Sequence, residues 1–293
     1  MFYAPDIATL LVLPDTEAQH CVRVLRKQVG DVIDITDGKG FFYKALIVEA
    51  HPNHCEVQLL ETQIQPLSWS NRIEIAVAPT KNLERIEWFV EKATEIGVNK
   101  ITLLHTQHSE RKDVKTERIQ KIVVSAMKQS LKATLPEIQG MTAFKRFVRR
   151  PFEGLKCIAH CNQGEKQLLS TLLAGRSGDA TPNTSTLLAG RSGDATPNTS
   201  TLFAERSGDA MPDAMPDATP DATSDTGENV MPDVLILIGP EGDFSESEVE
   251  EALAYGFLPI SLGESRLRTE TAALYALHAV HVLMSLRKGG ITP

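Results

Sequence analysis

Cysteine is scarce in this chain: Cys21, Cys55, Cys157 and Cys161 are the only four among 293 residues. Thiols so few and so scattered make no disulfide framework, and a small stapled secreted domain is excluded. Long apolar runs are missing too; none approaches the roughly 20 residues of a membrane span. The opening MFYAPDIATL has no basic stretch followed by an apolar one, so no signal peptide is expected and a cytoplasmic location is. CIAHC (Cys157 to Cys161) reads as a β-strand, in which residues four apart stand about 13 Å from each other, too far to share one ion. Its cysteines are expected to be buried in the strand, and no metal is expected.

An overall positive charge is also lacking, since 30 Lys+Arg stand against 38 Asp+Glu, a net −8. That sign excludes nucleic acid only until it is resolved along the chain. Residues 170–233 hold 3 basic and 10 acidic side chains, whereas residues 105–150 hold 11 basic and 4 acidic. A basic face is hidden by an acidic insert.

What is present is 42% hydrophobic residues, enough for folded cores in two domains. The acidic segment is an internal repeat: STLLAGRSGDATPNT occupies 170–184 and again 185–199, and a degraded copy, STLFAERSGDAMPD, begins at Ser200. Two apolar residues per copy among Gly, Pro, Asp, Ser and Thr cannot offset the entropy of ordering, so 170–232 is expected to be a disordered insertion in a surface loop. Before it lie two textures. Residues 1–68 are β-rich, with GDVIDITDGKGFFYKALIVEA alternating about an Asp37-Gly38 turn, as in a small barrel or sandwich. From 69 to 293, strands such as RIEIAVAP, ITLLH, LKCIAHC, DVLILIG and LPISL alternate with helices, the signature of a mostly parallel, helix-covered sheet.

Such sheets bind ligands at the carboxyl ends of their strands, where Gly239, Pro240, Glu241 and Gly242 fall. The turn lacks the extra glycines and lysine of a phosphate loop and carries Glu241 and Asp243 instead, which would repel a polyphosphate. It is either a site for another ligand or a plain strand-to-helix turn, in both cases with Ser245 as N-cap and Glu248 closing a capping box.

IGPEG (Ile238 to Gly242), LG (Leu262, Gly263) and LRTETA (Leu267 to Ala272) are joined upstream by HCVRVLR (His20 to Arg26), PTK (Pro79 to Lys81), EKATEIGV (Glu91 to Val98), SER (Ser109 to Arg111) and KQSLKATLPEI (Lys128 to Ile138). With these motifs in this order, the sequence resembles the SPOUT (trefoil-knotted) methyltransferases, and within them the RsmE type, which methylates N3 of a uridine in 16S ribosomal RNA. The resemblance implies a PUA-like RNA-binding β-barrel followed by a knotted α/β domain that binds S-adenosylmethionine. It implies that Ile238, Gly239, Pro240, Glu241, Gly242, Leu262, Gly263, Leu267, Arg268, Thr269 and Ala272 surround this donor. It also implies a homodimer acting on the small ribosomal subunit, with no membrane association. In place of the family's usual GPEGG, Asp243 takes the second glycine.

By their place in the motif, Arg268 is expected to position and stabilise the uracil, and Glu270 to be its partner or a proton acceptor. A structural ion pair for Arg268 and a helix-terminal carboxylate for Glu270 are the plainer alternatives. RNA phosphates are expected at His20, Arg23 and Arg26 on the barrel and at Lys81, Arg111, Lys112, Lys115, Arg118, Lys121 and Lys128 beyond it. A ribose 2′-hydroxyl methyltransferase would share the donor loops but not the barrel motif, and a non-catalytic RNA-binding relative would have no need of the retained glycines and LRTETA.

Overall fold

The computed structural model describes residues 1–66, 71–175 and 232–287. The position at which 1–68 was expected to give way to 69–293 falls among 67–70, and most of the repeats fall among 176–231; both lie outside the described residues.

The first region contains β1 (Phe2–Tyr3), α1 (Ile7–Leu10), β2 (Val12–Leu13), α2 (Asp15–Gln19), β3 (Val32–Thr36), β4 (Phe41–His51) and β5 (His54–Ile64). Its sheet runs β1-β3-β4-β5-β2, antiparallel except for the β1–β3 pair. Alternation places Ile33, Ile35, Tyr43, Ala45, Ile47, Cys55 and Val57 in one core, closed by Phe2, Ile7 and Leu13. α2 continues into a π-helical turn, His20–Val24, and the chain leaves it through Arg26 at φ 53°. Four residues, Asp37 to Gly40, separate β3 from β4, two more than a tight Asp-Gly turn has. The Asp37 carboxylate makes the wider loop by accepting from Lys39 N (2.7 Å), Phe41 N (3.2 Å) and the Tyr43 hydroxyl (3.2 Å).

The second region contains β6 (Ile73–Val77), α3 (Leu83–Ile96), β7 (Lys100–His105), α4 (Thr116–Gln129), β8 (Glu137–Ala143), α5 (Phe144–Val148), β9 (Leu155–Ala159), β10 (Gln167–Leu168), α6 (Leu169–Ala174), β11 (Val234–Ile238), α7 (Glu246–Ala254), β12 (Leu258–Ser261) and α8 (Thr269–Arg287). Its seven strands are all parallel, in the order β10-β12-β9-β11-β6-β7-β8. β6 and β11 are buried at every residue because helices cover both faces. On one face Ile73, Ile75, Val77, Ile236 and Ile238 pack under α3, α4, α6 and α8; on the other Ala76, Ala78, Leu235 and Leu237 pack under α5 and α7. The Asn82 side chain caps α3 by accepting from Glu84 N, and Gly97 ends it at φ 118°. The expected capping box on α7 is present: Ser245 Oγ accepts from Glu248 N, and Ser245 N donates to Glu248 Oε2.

The expectation that the disordered insertion begins at residue 170 fails at its first turn. Leu169, Leu172 and Leu173 are spaced to form one stripe, and that stripe is buried against the α8 side of the sheet, so the opening of the first repeat copy is helix α6.

The two regions meet through Lys128, whose Nζ lies 2.7 and 2.9 Å from the two carboxylate oxygens of Glu17. Beside that pair, Leu135 N donates to Gly38 O and Gly40 N to Ala133 O, so the β3–β4 loop is docked on the segment after α4.

Candidate active site

From β6 the chain steps outward through β7 to β8, then returns so that β11 is inserted between β9 and β6. The loops after these strands therefore converge at the reversal of strand order, where open sheets hold ligands.

β11 ends at Ile238, and Gly239 and Pro240 stay buried while Glu241 and Gly242 are exposed. A side chain at Gly239 would come within 3.2 Å of Phe244, and one at Gly242 within 3.2 Å of the His108 Cβ. At both positions a side chain would be tight enough to push its neighbour aside by a few tenths of an ångström. His108 Nδ1 lies 3.0 Å from the carbonyl oxygens of Gly242 and Asp243; with two acceptors facing it, this nitrogen carries the proton. Asp243 adopts φ 63°, a left-handed conformation that aspartate tolerates where the related motif has glycine. Its carboxylate accepts from Phe244 N (2.8 Å) and from Cys161 N (2.6 Å), which ties the loop after β9 to the turn after β11.

Cys157 is buried in β9 as expected, but Cys161 is exposed, because the strand stops at Ala159 and the chain turns out toward Asp243. His160 stands between them with neither ring nitrogen hydrogen-bonded. Burial, and after it Lys166, hold its imidazole below the usual range, with Asp243 opposing.

The chain from β12, outside β9, crosses back to start α8 beside β11, where Thr269 Oγ1 donates to Gly239 O at 3.1 Å. On the way Leu262 is half-buried, and Gly263 takes φ 119° with open space before its α-carbon. Leu267 and Ala272 are half-buried, Arg268 is exposed, and Thr269 and Glu270 are buried. A cavity of about 540 Å³ is lined by Lys81, Asn82, Arg85, Glu241, Arg268 and Glu270. The expected catalytic pair thus shares one cavity wall.

The expected pairing of Arg268 with Glu270 is corrected in one respect. The ion-pair partner of Glu270 is Arg85 on α3, Nη1 to Oε1 at 3.0 Å, and Arg268 has no ion pair among the described residues. Sequence reasoning missed Arg85, which lies 185 residues from Glu270. Its only local signal is its place in the first turns of the helix that follows central strand β6.

His20, Arg23 and Arg26 are exposed on and just after the π-helical turn, with the His20 ring edge-on to Phe2. Lys81 is exposed and pairs with Glu110 at 3.4 Å, and Arg111 Nε donates to Lys81 O at 2.9 Å. Arg118 is exposed although Glu87 holds it at 2.6 Å. Lys128 is different: its pairing with Glu17 makes it part of the junction between the two regions, not a free cation.

A family model described as RNA methyltransferase domain matches residues 68–211 and 214–281, well over half of the chain. The chain belongs to the RNA methyltransferase family. A second model, RNA methyltransferase PUA domain, matches residues 13–60 of this RNA methyltransferase. A solved chain from Porphyromonas gingivalis, described as a probable rRNA-methyltransferase, is 38% identical, with 97% of this chain and 98% of that one covered and a TM-score of 0.74. A Legionella pneumophila methyltransferase solved with bound S-adenosylmethionine is 25% identical over 93% and 91% of the two chains, with a TM-score of 0.64. The ribosomal RNA small subunit methyltransferase E of Bacillus subtilis is 24% identical over 93% of this chain and 90% of its own. The fold is the trefoil-knotted α/β type behind a PUA-like barrel.

Proposed function

We propose that this RNA methyltransferase transfers a methyl group from S-adenosylmethionine to N3 of a uridine in 16S ribosomal RNA of the small subunit. The observation that carries the reading is the meeting of Arg268 and Glu270 in one cavity with Glu241 of the turn after β11. The donor fits the residues present: Gly239 and Gly242 leave bare backbone at the strand ends, Gly263 faces open space, and Glu241 and Asp243 suit a sulfonium better than a polyphosphate. Backbone groups of Ile238 to Gly242, Leu262, Gly263 and Leu267 to Thr269, with Ala272 behind them, would hold it. When bound, it supplies the electrophilic methyl.

The protein must supply the nucleophile. Uracil N3 carries an imide proton, and its lone pair becomes free for in-line attack when that proton has moved to O4 or been lost. Arg268 stands as the cation beside the ring carbonyls, where negative charge develops. Glu270 accepts the proton, taking it from O4 as the carbonyl re-forms, so that N3 gains the methyl and the carboxylate becomes a carboxylic acid. His20, Arg23 and Arg26 hold backbone phosphates, with Lys81, Arg111 and Arg118 beyond the barrel, and give affinity without sequence choice. Residues 1–68 act as the RNA-docking module and 69–293 as the catalytic one, working as a cytoplasmic homodimer. The exposed stripe Tyr275, Val282 and Leu286 on α8 with Trp88 on α3 is the apolar face a second copy would cover.

Unmodified small subunits incubated with the protein and the donor should acquire a methyl that maps to uridine N3 by mass spectrometry. Arg268→Ala should abolish that methylation while calorimetry still detects donor binding. Normal turnover by the variant would remove Arg268 from the site.

A further inference from the structure

Glu270 is presented in an unusual way. Its side chain is about nine-tenths buried at the first turn of α8, yet only Oε1 is paired, while Oε2 has no hydrogen-bond partner. A buried carboxylate oxygen without a donor is costly unless something else meets it. The same residue lines both the 540 Å³ cavity and a neighbouring one of about 340 Å³ bounded by Asn82, Glu84, Arg85, Trp88 and Thr271. Arg85 lines both as well, so the ion pair stands where the two cavities adjoin.

Resting on the reading of Glu270 as the proton acceptor, we propose that Arg85 is its positioning residue. By binding Oε1 it fixes the carboxylate plane in the cavity wall, within reach of the substrate. Two features of α3 support this assignment. Arg85 is set by a rigid helix end, because Arg85 N donates to Asn82 O at 3.3 Å and the Asn82 side chain caps the same turn. Arg85 is also the only basic group paired with Glu270 among the described residues, while Arg268, on the same wall, stays free for the substrate. One guanidinium orients the base and the other meets the ring, a division that a lone Arg268–Glu270 pair would not permit. The proton balance is unchanged: the proton passes from the substrate to the Glu270 carboxylate, and Arg85 keeps its own protons throughout.

The test uses the full chain with unmodified small subunits and S-adenosylmethionine in single-turnover methylation, beside calorimetric donor affinity, filter binding of RNA, and thermal melting. Arg85→Ala should slow the methyl-transfer step by on the order of 10- to 100-fold, as expected when a proton acceptor is misplaced. Its donor and RNA affinities should stay within about twofold of the parent, since a misplaced base leaves ground-state binding intact. Arg85→Lys should recover part of the rate, and added guanidinium should restore part of it to Arg85→Ala and none to Glu270→Ala. An undiminished rate in Arg85→Ala, a loss confined to affinity, or guanidinium recovery in Glu270→Ala would each overturn the proposal. Failure of the proposed function itself reads differently, as a parent protein that places no methyl on uridine N3.

Discussion

Leu173 belongs to the first copy of a repeat that looks unable to fold, yet it is 1% exposed and packs with Leu169 and Leu172 against the core under α8. Arg287 Nη2 at the end of α8 donates to the carbonyls of Leu173 and Ala174, so the short helix is held by its backbone as well. Leu173→Ala removes about three carbon groups, worth roughly 2.4 kcal/mol at about 0.8 each. The unfilled space adds to that, giving a loss of about 3 kcal/mol. For a chain of this size the loss corresponds to a fall in Tm of about 6 to 12 °C. Leu168→Ala serves as the control, because Leu168 is exposed and its truncation should cost less than about 0.5 kcal/mol. Urea unfolding of the full chain, followed by circular dichroism, gives both numbers. A loss under about 1 kcal/mol for Leu173→Ala, or one equal to that of Leu168→Ala, would refute the assignment of this turn to the core. The practical corollary is that removing 176–231 should spare the core, whereas removing 170–232 should destabilise it.

Thr269→Val keeps the shape of a buried side chain but deletes the hydrogen bond to Gly239 O; it should cost about 1 to 3 kcal/mol in urea unfolding and weaken donor binding in calorimetry. Stability should also depend on pH through His281, held below the usual range chiefly by burial, against which its hydrogen bond to Gly97 O acts, and through His160. The folded pKa lies below the unfolded one, so the unfolded chain binds more protons between them. Stability is therefore full above about pH 6.5 and falls as the pH drops through the folded value. His281→Gln should flatten the Tm profile between about pH 7.5 and 5.5; an unchanged slope would show that this imidazole is not the group responsible.

Strands such as Ile73–Val77 and Val234–Ile238 are legible because a strand covered on both faces reads as an unbroken apolar run, and the α7 start is legible because Ser245 and Glu248 carry their geometry in their spacing. Strand β8 was not, since Glu137–Ala143 is a half-buried edge with Gly140 in its middle and no clean alternation. Helix α6 was hidden by the composition of the repeat around it, which outweighed a three-leucine stripe. At the site, the glycine turn, Arg268 and Glu270 lie in contiguous motifs and could be found by reading along the chain. Arg85 could not, because its partner arrives only when the chain crosses back from β12. The part Lys128 plays in the junction is hidden for the same reason: a lysine on an amphipathic helix looks solvated until Glu17 of the other region is set against it.

The loop Asp37 to Gly40 docked on Ala133 and Leu135, with Lys128 paired to Glu17, ties the barrel to the second region at that seam. If His20, Arg23 and Arg26 grip a phosphate backbone, the span from that grip to Glu270 is a fixed ruler, and the RNA must present its uridine at a set distance and angle from the held strand. Selection of one nucleotide then needs no reading of its neighbours: an inserted or deleted residue between anchor and target would spoil the match even with every base contact preserved.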